Sequence, residues 1–324
     1  MVDWSAAELM FPLLPYIASR RVPSDEIVDA LIASPGIQVW LRHAGIHGGL
    51  TEARYREIIK RAATAPEGPT QSSLADRLRR QASREHELAR VLAAFKALNF
   101  EGICQDAYAW ANEHLAEAFS GQVKVYLMCA TRGSAIVLDQ NIAIDIADYP
   151  DPKTRPLNLD SLKAVLAHEV FHMGRERVSR AGREALPDNP GVRLAGMLLE
   201  EGVATYLFSQ GYMAEQVGQP WADSLVNLPD MTRRFSEVLA AALGAAPGDP
   251  EILSKCYAFF GIEGYALGCE MCRAIDSTLG RSAMHESLRD PAAFIESYEA
   301  AVDAGALPLP RFPKETVTRL KAMV

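Results

Sequence analysis

The sequence predicts an α+β fold that is mostly helical. Apolar residues recur at a spacing of three to four along most of the 324 residues, which is the period of an amphipathic helix. Between residues 122 and 147 this period changes to two, which is typical of strands. Hydrophobic residues make up 49% of the chain and charged residues 23%, the balance of a globular protein with a sizeable core. Together these observations predict a helical N-terminal region, a short antiparallel β-meander and a second helical region.

The N-terminal region comprises residues 1–118 and contains four stretches with helical spacing. These stretches are Asp25–Ala33, Glu52–Ala63, Ser73–Leu98 and Asp106–Phe119. The spacing predicts a helical N-terminal region.

The predicted strands follow the N-terminal region in the sequence. Val123, Val125 and Leu127 alternate with polar or amphipathic residues. A second alternating run, Ile142–Ile146, follows in the same segment. From residue 158 onward the helical period returns, and it persists to a last predicted helix near Lys314–Met323.

Charge and composition exclude several classes of protein. The chain has 41 acidic and 33 basic side chains, a formal charge of −8, and no basic stripe that would bind nucleic acid. No apolar stretch is long enough to span a membrane. Five cysteines are too few for a disulfide scaffold, and the N-terminus lacks the positive region of a secretory signal. We therefore expect a cytoplasmic protein that has neither a nucleic-acid partner nor a membrane span; the alternative is a protein whose leader has been removed.

An H-E-x-x-H pattern, formed by His168, Glu169 and His172, indicates the chemistry. It lies in a helical run that begins after a capping residue at Asn158 or Asp160. At 3.6 residues per turn the two histidines share one face, so both imidazoles can reach a single metal ion. Glu169 is rotated by about 100°, which places it to accept a proton from water and not to bind the metal. The alternative is a structural pair of histidines on an amphipathic helix.

A third metal ligand is expected, because catalytic zinc takes three protein ligands and leaves one position for water. Glu201 is the candidate, in a second helical run from Pro190 to Gln210 that is predicted to end at Gly211. It lies in the middle of an apolar face, where a carboxylate without a cation is costly to bury. Glu200 is turned away by about 100° and is the weaker candidate. The alternative for Glu201 is an acid on the helix surface.

The H-E-x-x-H pattern followed by E-G-x-A at residues 201–204 resembles the gluzincin zinc metallopeptidases, the superfamily of thermolysin and aminopeptidase N. The resemblance covers about residues 122–280. It implies that residues 119–324 form a zinc metallopeptidase-like catalytic domain, with residues 1–118 as a helical N-terminal region.

The resemblance also implies roles for single residues. In this family the glutamate of the motif is the general base, which is Glu169 here. The two histidines of the motif and the downstream glutamate bind zinc, which are His168, His172 and Glu201. The expected cofactor is one zinc ion per chain, and the expected partner is a peptide or protein substrate.

Tyr265 is the candidate for stabilising the oxyanion that forms during hydrolysis. The sequence from Tyr265 to Gly268 resembles the Y-x-x-G that follows the third ligand in small bacterial members of the family. It opens a predicted helix that ends at Gly280, and Gly268 would let this helix approach the site closely. A phenol near the zinc would donate a hydrogen bond to the oxyanion. The alternatives are that Tyr265 is a core residue and that Tyr257 has this role.

Three further features concern the support of the metal ligands and the binding of a substrate. Thermolysin-like members have an acid four residues after the third ligand, whereas Thr205 is found here, so the support of the ligating histidines differs. The aminopeptidase pattern G-x-M-E-N is absent, which favours an endopeptidase or a narrow processing peptidase. The predicted hairpin Gly133–Ala147 precedes the metal-binding helix, as the substrate-binding edge strand does in the family, and an extended peptide could pair with it.

The sequence does not favour an additional site built on cysteines. Cys269 and Cys272 form a C-x-x-C, but there is no second such pair for a structural zinc and no βαβ context for a redox centre. We predict that both are buried helix residues.

The sequence thus predicts zinc-dependent peptide hydrolysis with Glu169 as general base. The alternative is a catalytically silent zinc-binding protein of the same fold that acts as an interaction module. Peptide hydrolysis separates the two, because both would retain the metal ligands.

Overall fold

The structure is a computed structural model that describes residues 2–64, 73–115, 117–129, 131, 135–182, 188–305 and 310–324. For residues 47, 48 and 176–182 it describes the backbone alone. The chain divides into two compact units, Met1–Arg175 and Glu176–Val324. The first combines helices with a small sheet, and the second has helices and no strand among its described residues. The predicted α+β, mostly α class is confirmed, whereas the functional division at residues 118 and 119 stays a prediction.

The elements of the first unit surround its small sheet. In chain order they are β1 (Val2–Asp3), α1 (Ser5–Met10), α2 (Leu14–Ala18), α3 (Asp25–Ala33), α4 (Pro35–Gly48), α5 (Glu52–Thr64), α6 (Leu74–Ala82), α7 (Glu85–Ala97), α8 (Phe100–Asn112), β2 (Lys124–Met128), β3 (Ala135–Leu138), β4 (Asn141–Asp145), a 3₁₀ turn (Ile146–Asp148) and α9 (Leu159–Gly182), whose residues up to Arg175 belong to this unit.

The sheet is mixed, in the order β1-β2-β4-β3. β3 and β4 form the predicted antiparallel hairpin, although Gly133, where we expected it to begin, lies outside the described residues. The prediction of an antiparallel meander is wrong for β2, which pairs with β4 in parallel. The reason is burial: four of the five residues in each of these two strands are buried, as is typical of parallel central strands, whereas β3 is half-buried at the edge.

An ion pair fixes the end of β4. Asp145 is fully buried and accepts hydrogen bonds from the backbone N–H and hydroxyl of Thr131, at 2.7 and 2.9 Å. Arg77 on α6 donates to Asp145 at 3.1 Å and to Asp148 at 2.5 Å. Burial raises the pKa of Asp145 to about 6, while Arg77 and these hydrogen bonds oppose that rise. The pair ties α6 to the strand that precedes α9.

Helix α9 begins where the sequence predicts. Asn158 caps it by accepting a hydrogen bond at 3.1 Å from the backbone N–H of Ser161. The cap sets the register that places the H-E-x-x-H pattern two turns into the helix.

The second unit consists of helices. They are α10 (Pro190–Ala204), a π-helix (Thr205–Ser209), α11 (Gln210–Gln216), α12 (Gln219–Val226), α13 (Leu228–Leu243), α14 (Pro250–Phe259), a second π-helix (Phe260–Gly264), α15 (Tyr265–Leu279), α16 (Arg281–Ser287), α17 (Pro291–Asp303) and α18 (Lys314–Lys321).

Three predicted helical stretches have wrong boundaries. In place of Asp106–Phe119, helix α8 covers Phe100–Asn112. The stretch Ser73–Leu98 is split into α6 and α7, because the Ser83 hydroxyl bonds to the Arg80 carbonyl and ends the first of them. The helical segment that begins with α10 is predicted to end at Gly211. It continues past this residue, which lies inside α11. Gly218, which follows the end of α11, has a positive φ of 64°.

Two glycines let α10 and α15 touch at their backbones. A Cβ on Gly202 would lie 2.5 Å from the Cα of Gly268, and a Cβ on Gly268 would lie 2.5 Å from the carbonyl oxygen of Leu198. The sequence predicts that Gly268 lets its helix approach the site closely. In the structure this helix packs closely against α10, the helix that carries Glu201.

Gly268→Ala is expected to lower the free energy of unfolding by about 1–3 kcal/mol, because the added methyl meets backbone atoms that cannot rotate away. Gly211→Ala is the matched control, since nothing lies within 4 Å of a Cβ at that exposed helical glycine. The control should be unchanged or more stable by up to about 1 kcal/mol. Urea unfolding of both variants measures the difference, and equal stability would contradict the close packing.

Among the described residues, no helix is both long and apolar enough to span a membrane.

Candidate metal centre

His168 and His172 present their imidazoles to each other on one face of α9. Their Nε2 atoms are 3.0 Å apart and their ring centroids 4.7 Å apart. Two nitrogens that each lie about 2.0–2.1 Å from one zinc ion have a separation of this size. His168 is buried and His172 is half-buried, so the first ring is largely shielded from solvent. The predicted helical register, which places both rings on one side, is confirmed.

Glu169 lies on α9 between the two histidines and is buried, with 8% of its surface exposed. Its sequence neighbours Val170 and Phe171 are also buried, so solvent has little access to this part of the helix. A carboxylate in such surroundings is held in few rotamers, which suits a group that must receive a proton at one position.

Glu201 lies near the end of α10 and is half-buried. Asn189 starts this helix by accepting hydrogen bonds from the backbone N–H groups of Gly191 and Val192, at 2.9 and 3.2 Å. Directly after α10 the chain forms the π-helix Thr205–Ser209, a geometry that occurs often at functional sites. The sequence pattern does not reveal this change of helix type.

Among the residues that the structure describes, one group of histidine, cysteine and acidic side chains could hold a metal ion, and it consists of His168, His172 and Glu201. Two imidazole nitrogens and one carboxylate oxygen form a donor set that catalytic zinc accepts. The 3.0 Å separation of the two Nε2 atoms fits a shared cation. The residues present therefore fit zinc, and Glu201 as the third ligand stays a prediction.

Thr205 lies four residues after Glu201, at the position where thermolysin-like metallopeptidases have an acid. Its side chain is fully buried, and its hydroxyl has no hydrogen-bond partner among the described residues. The expectation that the support of the histidines differs from the family pattern stays a prediction.

Tyr265 is the first residue of α15 and is half-buried, with its ring centroid 5.4 Å from that of Phe260. Gly261, with φ −7° and ψ −137°, interrupts the helix before it. Tyr257 therefore does not lie on one continuous helix with Tyr265, and it is 40% exposed. The structure places Tyr265 at the turn that precedes the contact between Gly202 and Gly268.

Cys269 and Cys272 are buried on α15, in agreement with the predicted buried helix cysteines. Burial raises the pKa of Cys269 to about 12 and also raises the pKa of Cys272. Thiols with such pKa values are poor nucleophiles and poor metal ligands at neutral pH, which disfavours a redox or metal role.

A polar cluster that the sequence analysis missed holds the end of the Glu201 helix. Tyr206 donates a hydrogen bond at 2.7 Å to Asp276 on α15, which also pairs with Arg281 at 2.6 Å. Burial and this bond raise the pKa of Tyr206 to about 12. No sequence signal could have found these residues, because they are about 70 positions apart and follow no motif.

Comparison with known proteins supports the same chemistry. A family model described as "Putative zinc dependent peptidase (DUF5700)" matches residues 28–304. The match covers both the H-E-x-x-H pattern and Glu201. No curated protein and no solved structure matches the chain.

Proposed function

Because the chain belongs to the family described as "Putative zinc dependent peptidase (DUF5700)", we propose that it hydrolyses peptide bonds with one zinc ion per chain. His168, His172 and Glu201 hold the zinc in this proposal, and Glu169 is the general base. The observation that carries it is the pair of imidazoles on α9, whose Nε2 atoms are 3.0 Å apart and face each other beside a buried glutamate.

The proposed site is of gluzincin type. The support is the downstream E-G-x-A at residues 201–204, which supplies a carboxylate ligand from a second helix. Gly202 in this pattern has a packing role, since α15 leaves no room for a side chain there. A glycine after the ligand thus lets the helix that carries Tyr265 come close to the helix that carries Glu201.

The chemistry divides between the metal and the chain. When bound, zinc supplies Lewis acidity, which makes water more acidic and polarises a carbonyl group. Glu169 accepts the proton of the attacking water and delivers it to the leaving amine. Its burial keeps bulk water from competing for that proton. Tyr265 donates a hydrogen bond to the developing oxyanion.

The proposed substrate is an extended peptide or protein segment, cleaved by an endopeptidase or a narrow processing peptidase. β3 is an edge strand, because the sheet order leaves it with β4 as its single partner among the described strands. An extended peptide can add to such an edge through main-chain hydrogen bonds. The sequence lacks G-x-M-E-N, so it does not carry that means of holding a free amino terminus.

Digestion of a peptide library by the zinc-loaded protein tests the proposal. We expect cleavage at internal bonds by the wild type and none by Glu169→Gln prepared in the same way. A wild-type protein that binds one zinc and cleaves no peptide would contradict the proposal. That outcome would favour the non-catalytic interaction module.

Tyr265→Phe is expected to lower kcat by about 10²–10³-fold with little change in KM, because the lost donor faces charge that exists only in the transition state. Tyr257→Phe is the matched control and should leave kcat unchanged. Steady-state kinetics and thermal melts on both variants give the answer. A lower melting temperature with unchanged kcat would assign Tyr265 a packing role, with a loss of about 0.5–1.5 kcal/mol in stability.

A further inference from the structure

A cavity of about 930 Å³ lies within the first unit, between α8, the sheet and α9. One wall is a stripe of α8 with the helical spacing of four: Phe100, Cys104 and Tyr108. Trp4 extends this wall, with its ring centroid 5.8 Å from that of Phe100 in an edge-to-face arrangement. The Tyr108 hydroxyl donates a hydrogen bond to the carbonyl of Phe119. A ligand in the cavity would therefore contact the ring of Tyr108.

The floor of the cavity is a row of three β-branched side chains, Val2, Val125 and Ile142. The three are in register across β1, β2 and β4. Leu166 and Val170 of α9 close one side. Because they are two residues out of phase with His168 and His172, they lie about 200° around the helix from the imidazoles. The cavity is therefore separate from the metal ligands.

The size and lining of the cavity are those of a site for small molecules. The cavity opens to solvent at its rim, where Glu101, Gln105 and Lys124 are exposed, and its apolar wall is not covered by other described residues. Uncovered apolar surface of this kind is typical of ligand-binding grooves. Ligand sites have volumes of roughly 300–1,000 Å³ and apolar, aromatic walls with few polar groups. An amphipathic helix such as α8 would ordinarily pack its apolar stripe directly against the sheet.

The polar lining residues indicate the charge of the ligand. They are three amides, one acid and one base: Asn99, Gln105, Gln122, Glu101 and Lys124. Among the lining side chains the one acid and the one base cancel, and the amides offer both donors and acceptors. Such a rim suits a ligand without net charge that forms one or two hydrogen bonds.

We propose that this cavity binds a small, uncharged and largely apolar molecule, with an aromatic or acyl body and one or two hydrogen-bonding groups. The proposal does not depend on peptide hydrolysis. It adds a second binding site, on the face of α9 opposite the metal ligands.

Two fluorescent probes of similar shape test the proposal on the full chain. N-phenyl-1-naphthylamine is neutral, and 8-anilino-1-naphthalenesulfonate carries one negative charge. We expect saturable binding of the neutral probe with energy transfer from the tryptophans, and binding of the sulfonate that is about tenfold weaker or more, because the lining side chains carry no net positive charge. Equal binding of both probes would overturn the assignment of an uncharged ligand.

A filled cavity is the second comparison. Cys104→Phe places a ring in the space and should weaken binding of the neutral probe by at least about tenfold, while Cys104→Ser keeps the volume and should retain it. Circular dichroism and thermal melts show whether both variants fold. Unchanged binding by a folded Cys104→Phe protein would overturn the proposal.

Cys104 also allows a test without any variant. It is half-exposed, whereas the other four cysteines are buried. Maleimide should therefore modify Cys104 first, although burial raises its pKa to about 11 and makes a mildly alkaline buffer advisable. The neutral probe should slow this modification by several-fold. A rate that saturating probe leaves unchanged would contradict occupation of the cavity.

Discussion

Glu169→Gln is expected to retain zinc and the fold while losing peptide hydrolysis by about 10²–10⁴-fold, the effect typical of removing a general base. The amide is nearly isosteric with the carboxylate, so the buried position on α9 stays filled. It has no basic oxygen at neutral pH, so it cannot take the proton of water or return it to the leaving amine.

Zinc content and kcat measured on the same preparation separate the base from the ligands. Equal zinc with near-normal turnover would contradict the role of Glu169. Loss of zinc from this variant would instead make Glu169 a ligand and shift the register of the site.

Glu201→Ala is expected to weaken zinc binding by at least about 100-fold. Losing a residue that merely orients a ligand already costs about 10–100-fold, and this change removes one of three protein ligands. Hydrolysis should fall with the zinc content. Competition with a chelator of known affinity gives the dissociation constant.

The neighbouring Glu200→Ala is the matched control, because Glu200 is an acid of the same helix and is also half-buried. It should retain zinc at the wild-type affinity. If Glu200→Ala loses zinc and Glu201→Ala retains it, the third ligand has been assigned one residue too far along the chain.

Local patterns in the sequence predict much of the fold. The helices α3, α5 and α18 occur within about two residues of the stretches with a three-to-four spacing. Asn158 starts α9 as its capping chemistry predicts, and the spacing of the two histidines then places both imidazoles on one side. These features depend on residues close in sequence, which is why the pattern alone is sufficient.

Features that depend on distant residues could not be predicted. The parallel pairing of β2 with β4 follows from burial of both strands, and alternation within each strand does not specify a partner. The π-helix after Glu201 and the break at Gly261 before Tyr265 arise where α10 and α15 pack through Gly202 and Gly268. The sequence shows the glycines but not the helix type that their contact permits.

Titration of the metal-free protein with zinc, with peptide cleavage followed at each addition, tests the central claim most directly. The account predicts that activity rises in proportion to added zinc and levels off at one zinc per chain. Glu169→Gln should take up the same single equivalent with no activity. Cleavage that is unchanged in the metal-free protein, or a wild type that binds one zinc and remains inactive on every peptide, would contradict the account.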